Sequence, residues 1–315
     1  MSTEEQREIW RKQKAANRKK NPERSKQINR IEDIGRAGKQ TAKGILYRTD
    51  HPEKQLEYDE RRKQKINNRG LYADEIERRR NPIIIYSDEP VVIAADFHIP
   101  FHDTHLLQKL CDKGEEMNKP KLIVPGDFWD FENYSHYCKE IGVMEPFETE
   151  VEHVATVTKR LRQCFSMIYF TMGNHEKRII DFNGGRMTME MLFKWLDVSS
   201  GYEVTMDTFL NLIQQGQLWL IGHPSAYSQT PLQVASRLAT KHHCNVAVGH
   251  SHLMATGFDP SGKFRICDLG GMYHQPSLDY QRKLTRHPMN KSGFFILENN
   301  TLTAIEPDPI EVILP

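Results

Sequence analysis

Five short apolar runs in this sequence each end in side chains able to ligate a metal, and that recurrence restricts the fold more than any other feature. VVIAA at 91–95 runs into Asp96-Phe97-His98, and LIVP at 122–125 into Gly126-Asp127-Phe128-Trp129-Asp130. MIYFTM at 167–172 leads into Gly173-Asn174-His175-Glu176, LWLI at 218–221 into Gly222-His223, and VAV at 246–248 into Gly249-His250-Ser251-His252. Such runs read as buried strands, and IIIY at 83–86 is a sixth of the kind. Between them, stretches near 104–117, 149–164, 187–196 and 231–241 have helical length and mixed polarity. Strands alternating with helices predict a layered α/β domain, in which ligands sit beyond the carboxyl ends of strands. The five loops are therefore expected to converge on one crevice.

The residue types in those loops point to particular chemistry. Mixed imidazole and carboxylate donors suit zinc, iron or manganese rather than calcium. A carboxylate can bridge two cations, and Asp127 follows a glycine able to turn the backbone sharply. Two cations ~3.5–4 Å apart clamp both oxygens of an in-line phosphoryl displacement and bring the pKa of a bound water toward ~7.

In order, the five blocks resemble the calcineurin-like metallophosphoesterase superfamily: D-x-H, GD-x-x-D, GNH-[ED], GH and GH-x-H. The resemblance implies a four-layer α/β/β/α sandwich over residues 81–315 and two divalent transition-metal ions, manganese, iron or zinc. It implies Asp96, His98, Asp127 and His252 around one ion, and Asp127, Asn174, His223 and His250 around the other. His175 would meet the phosphate, beside Asn174, and protonate the leaving oxygen. In the phosphoprotein-phosphatase branch the second Asp of GD-x-x-D pairs with that histidine and a Glu follows it, and Asp130, His175 and Glu176 match. An acidic partner favours the protonated imidazole that a general acid needs. The sequence then departs from the branch, because Phe131 stands where an arginine should grip the phosphate. The repair-nuclease branch typically has a histidine where Asp130 sits. The general pattern is also similar to phosphoesterases common in phage genomes.

Charge is distributed unevenly. Residues 1–80 hold 23 Lys/Arg and 14 Asp/Glu, a net of +9, whereas residues 81–315 carry a net of −8. The first segment has no Val and no Phe, and Ile28, Ile31 and Ile34 recur every three residues. It is expected to be a basic, mainly helical or partly disordered extension, bounded by Asn81-Pro82. Such an arm suits the phosphate backbone of nucleic acid, or it docks on the acidic body. Phe128, Trp129, Phe131, Tyr134 and Tyr137 form an aromatic insertion that either stacks nucleobases or caps the cleft. His136 lies within it as a substrate contact. After the last ligand loop, Tyr280, Arg282, Lys283, Arg286 and Lys291 offer phosphate contacts or a solvated loop, with Arg282 and Arg286 the substrate-binding candidates. His102 and His105 read as contacts behind the ligands or as an ordinary helix start, and His242-His243 as a solvated pair at a helix end.

FFIL at 294–297, LTAI at 302–305 and EVIL at 311–314 are expected to be consecutive strands completing a second sheet. The five cysteines are odd in number and form no CxxC pair, which fits unpaired thiols in a reducing compartment. No apolar run approaches the ~20 residues of a membrane span. The N-terminus, charged from Glu4, lacks the apolar stretch of a signal peptide. A soluble cytoplasmic protein is expected, with no membrane partner. The function expected is a metal-dependent phosphodiesterase acting on nucleic acid. The alternatives are a phosphoprotein or small-molecule phosphatase, and a DNA-bound or assembly factor with secondary esterase activity.

Overall fold

A computed structural model describes residues 83–135, 146–196, 198, 200–274 and 290–308. The extension at 1–80, Asn81-Pro82, His136, Tyr137, Tyr280, Arg282, Lys283, Arg286 and the strand expected at 311–314 lie outside the described residues. The elements run β1 (Ile84–Tyr86), β2 (Val91–Ile93), α1 (Thr104–Glu116), β3 (Lys121–Pro125), α2 (Phe147–Cys164), β4 (Met167–Thr171), α3 (Asn174–Phe182) and α4 (Met189–Lys194). They continue with β5 (Tyr202–Val204), β6 (Phe209–Gln214), β7 (Gln217–Gly222), α5 (Gln233–His242), β8 (Asn245–Val248), β9 (Met254–Phe258), β10 (Arg265–Leu269), β11 (Phe294–Glu298) and β12 (Thr301–Ile305).

Alternate side chains of a strand point to opposite faces, and here both faces are covered. From β2, Val91 and Ile93 join Ile123, Leu297, Leu212, Trp219 and Ile221 in a core between two sheets. Val92, from the same strand, faces the other way and packs with Leu122, Leu106 and Leu110 beneath the helices. On the far side, Ala235 and Ala239 of α5 pack on Val246, Val248 and Ile266. The result is helix, sheet, sheet, helix, the four layers expected. Burying each large aliphatic in these cores contributes about 1.5–3 kcal/mol, so Ile93→Ala should cost about 2–5 kcal/mol.

One sheet has the order β12-β11-β2-β3-β4-β5 and the other β1-β6-β7-β8-β10-β9. In the first, β2, β3, β4 and β5 are parallel. In the second, β7, β8 and β10 are parallel. The expectation that the late strands complete a second sheet is corrected, because β11 lies antiparallel against β2, with Phe295 opposite Ile93. Its residues are apolar on both faces, a pattern either sheet would accept. The second sheet is built instead from β1, β7 and β8 together with β6, β9 and β10, none of which the apolar runs announced. Gln214 in β6 shows why: it is fully buried, donating to Glu89 O and Leu297 O, so a core strand carries a polar residue.

Helix α1 starts on Asp103, whose side chain accepts from the backbone N–H of His105 and Leu106. His105 is exposed there, the ordinary helix start. Exposed His242 and His243 close α5, also as expected. Cys111, Cys164, Cys244 and Cys267 are buried free thiols. No helix among the described residues is long and apolar enough to cross a membrane.

Candidate metal centre

The parallel run β2-β3-β4 delivers Asp96, Asp127 and Asn174 to the same end of one sheet, and β7 and β8 deliver His223 and His250 from the facing sheet. Positive φ angles mark these loops: Asp96 54°, His98 49°, Asp127 47°, His250 78° and His252 56°. The left-handed region costs a non-glycine residue roughly 1–2 kcal/mol, and such strain persists where surrounding structure fixes it, typically at functional sites. The glycines preceding the ligands make room. At Gly126 a Cβ would lie 2.6 Å from His223 Cβ, and at Gly173 it would lie 2.1 Å from Asp127 Oδ1.

All seven residues expected to ligate meet in this crevice. Around Asp96, His252 Nε2 lies 3.3 Å from Oδ1 and 3.1 Å from His98 Nε2. His98 Nε2 is 4.0 Å from both Asp96 Oδ1 and Asp127 Oδ2. Around Asp127, His223 Nε2 lies 3.2 Å from Oδ2, 2.8 Å from Asn174 Oδ1 and 3.1 Å from His250 Nδ1. A ring nitrogen has one in-plane site, holding a proton or a lone pair, and can satisfy only one of three such neighbours. Convergence of nitrogen and oxygen donors on one point is what a cation requires, and the donor types suit a transition metal. Asp96–His98–His252, Asp127–His223–His250 and His98–Asp127–His175 are each grouped closely enough to hold an ion.

This is the four-layer α/β/β/α sandwich that the resemblance implies.

No family model matches the chain, and no curated protein matches it in sequence. Among solved structures it is similar to a protein of Streptococcus pneumoniae TIGR4 described as a predicted phosphoesterase, at 13% identity over 66% of this chain and 81% of that one, with a TM-score of 0.31. It is also similar to vacuolar protein sorting 29 of Cryptosporidium parvum, at 10% identity over 69% of this chain and 95% of that one, TM-score 0.37. A third is a cold-active protein-tyrosine phosphatase of a Shewanella species, at 14% identity over 72% and 81%, TM-score 0.35.

Electrostatics within this crevice favour a cation. Burial, helped by neighbouring His175, lowers the His98 imidazole to about 4. Burial with His223 alongside lowers His250 to about 4. Both are therefore neutral, the form that ligates. Burial also opposes charge on His223, but Asp127 and Asp96 outweigh it and push that imidazole up to about 9. Burial of Asp127 is likewise outweighed, by His223 and His175, and its carboxyl is held well below the usual range. The carboxylates thus draw positive charge to the point where the ring nitrogens meet.

His175 Nδ1 lies 2.7 Å from Asp130 O and 3.0 Å from Asp130 Oδ1, and its Nε2 is 3.8 Å from Asp127 Oδ2. The Asp130–His175 pair matches the branch pattern. Asp130 does more than the pattern implies, because its Oδ1 is also 3.0 Å from His98 Nδ1. It therefore sets the orientation of the His98 ring as well as of His175. Burial opposes charge on Asp130, but the two imidazoles outweigh it and hold the carboxyl far below its usual range.

Three further residues have roles that the sequence does not announce. Glu176 accepts from four backbone N–H groups: Gly173, Asp127, Phe128 and Trp129, at 2.8–3.0 Å. It ties the β3 loop to the β4 loop. Glu150 of α2 accepts from Phe131 N at 2.7 Å, and burial pushes its carboxyl up to about 8. Arg178 donates from Nη1 to Asp130 O at 2.9 Å, and its Nη2 is 2.8 Å from His175 Nε2. The signal for Arg178 is its i+3 spacing from His175, which matters only on a helix, whereas GNHE reads as a strand-end loop. In the structure α3 begins at Asn174.

The stacking role considered for the aromatic insertion is corrected for three of its rings. Phe128, Trp129 and Phe131 are wholly buried, with Trp129 stacked on Phe131 at 4.8 Å and 5°. They pack in the core under α2, where hydrophobic burial wins over exposure. Tyr134 is half-buried against Phe147 and Phe182. Tyr273 is buried with its ring 4.6 Å from that of His252. His102 pairs with it through the backbone. Lys291 is exposed and faces Glu306 at 3.5 Å.

Proposed function

We propose that this protein is a two-metal phosphoesterase acting on the phosphodiester backbone of nucleic acid. The observation that carries the reaction class is the position of Asp127, shared between donor groups from both sheets, with the His175 imidazole beside it. In this reading Asp96, His98, Asp127 and His252 hold one ion, and Asp127, Asn174, His223 and His250 hold the other. Bound divalent ions would polarise the phosphoryl group and lower the pKa of water at neutral pH.

The chain's own residues do the rest. The backbone N–H of His175 donates to Asp127 Oδ1 at 2.9 Å, which fixes the carboxylate with Oδ2 toward the histidines. Asp130 holds His175 by Nδ1, leaving Nε2 to carry the proton given to the leaving oxygen. Burial of this pair strengthens its electrostatics. The nucleic-acid substrate is supported by the +9 segment at 1–80. A phosphomonoesterase is a second reading, favoured by the guanidinium of Arg178 beside His175.

The test is a panel of substrates on chelated protein reloaded with manganese, zinc or iron: a bis-aryl phosphate, an aryl phosphate, a phosphopeptide, and single- and double-stranded DNA. Metal-dependent hydrolysis with DNA cleaved faster than the phosphopeptide is expected. The reverse order establishes the second reading, and no hydrolysis with metal bound ends the enzyme reading. Removal of residues 1–80 should weaken DNA binding and flatten its salt dependence, by about 0.9 in log–log slope for each phosphate the arm neutralises.

A further inference from the structure

We infer that Arg178 is the phosphate-gripping residue of this site, taking the place that Phe131 cannot fill, and that it gives the crevice a capacity for phosphomonoesters. This inference rests on the phosphoesterase reading above and names the group that would recognise its substrate.

Phe131 is unable to serve: its side chain is wholly buried, stacked on Trp129 and facing away from solvent among apolar neighbours. Arg178 comes from a different element. It lies three residues after His175 on α3, so the two side chains share a helix face. Lys177, its neighbour in sequence, points outward and pairs with Asp181. Of two adjacent cations, only Arg178 faces the crevice.

Its geometry is that of a preset fork. Nη1 is anchored on the Asp130 carbonyl, which fixes the guanidinium plane, and Nη2 is directed at His175 Nε2. Among the described residues no carboxylate pairs with Arg178, although the residues from 81 onward carry a net charge of −8. Its Nη1 donates to a backbone carbonyl, and its Nη2 meets an imidazole nitrogen that can accept only while it carries no proton. A phosphoryl oxygen displacing that imidazole contact would accept from Nη2 in a charge-assisted hydrogen bond. A planar fork also matches a pair of phosphoryl oxygens, which a lysine at this position would not. A terminal phosphate has three non-bridging oxygens and a second negative charge, so it gains more from this contact than a diester does.

The experiment compares wild-type, Arg178→Gln and Arg178→Lys proteins, each loaded with manganese and checked for metal content. Binding of inorganic phosphate is read by calorimetry, and kcat/KM is measured on an aryl phosphate and a bis-aryl phosphate. Arg178→Gln should weaken phosphate binding at least tenfold, and lower the monoester kcat/KM at least tenfold more than the diester value. Arg178→Lys, which keeps the charge without the fork, should fall between. Unchanged phosphate affinity, or an equal loss on both substrates, overturns the inference. If wild-type protein hydrolyses neither ester, the phosphoesterase reading fails, and the phosphate titration still decides the role of Arg178.

Discussion

The loops after β2, β3 and β4 are locked to one another by buried carboxylates, whereas the loops after β7 and β8 bring their histidines to the crevice from the opposite sheet. Glu176 gathers four N–H groups from the β3 and β4 loops, and Asp130 spans His98 and His175. Across the crevice, His250 N donates to Asp96 and His223 N to Thr208 O, but the His223 ring has three neighbours competing for one nitrogen. One half is preorganised by the protein's own hydrogen bonds. In the other, donors converge closely enough for a cation between the rings to complete it. Preorganisation on one side fixes geometry, and the open valence on the other supplies affinity.

The sharpest way to break this comparison is Asp127→Ala, since Asp127 is the residue both halves share. It should lose both metals and essentially all hydrolysis, and metal analysis showing full occupancy would remove the bridging assignment. His175→Gln should lower kcat by about 10²–10⁴ with metal content near wild type. Because His175 also falls within a donor group, loss of metal in that variant would make it a ligand instead. Asp130→Asn should reduce both kcat and metal affinity, the latter by about 10–100-fold, because its carboxylate orients His98 too.

Glu176→Gln tests the braced half directly. An amide nitrogen would face N–H donors now served by a carboxylate oxygen, costing about 2–6 kcal/mol in unfolding free energy. A loss under about 1 kcal/mol, the size of one ordinary hydrogen bond, would show that the clamp adds little. Metal removal tests the other half: amide hydrogen exchange should rise more at 222–223 and 249–252 than at 96–98 and 127–130. Equal protection on both sides would erase the distinction.

The smallest effect concerns Glu150. Its folded pKa of about 8 exceeds that of an exposed carboxylate, so the folded state holds a proton that the unfolded chain has released. Stability from this group is therefore complete below about pH 4.5 and is lost as pH rises toward 8. Glu150→Gln keeps an acceptor for Phe131 N without that ionisation. Its Tm should match wild type near pH 5 and exceed it above pH 8, by the equivalent of about 1–3 kcal/mol.

Much of the site is legible in the sequence because its chemistry is written in side chains at strand ends. Asp96, His98, Asp127, Asn174, His223, His250 and His252 follow apolar runs whose last residues are mostly buried, so the runs mark strands and the polar residues mark where they stop. Arg178 is hidden for a local reason. The cap of helix α3 is Gly173, which has no side chain to mark a helix start, so nothing exposes the i+3 relation to His175. Glu176 reads only as a branch marker, because nothing in a sequence shows which backbone N–H groups a carboxylate will meet.

By itself the sequence determined the layered α/β class, the order of the donor-bearing loops and the set of side chains they offer. Those follow from periodicity and donor chemistry, which act over a few residues. Only the tertiary structure decided that β11 joins β2, that Phe128, Trp129 and Phe131 are core rather than surface, that Arg178 meets His175 and that Asp130 also meets His98. The reason is the same in each case. Apolar residues fit any buried face and charged ones any partner, so the choice among them falls to contacts between residues far apart in the chain.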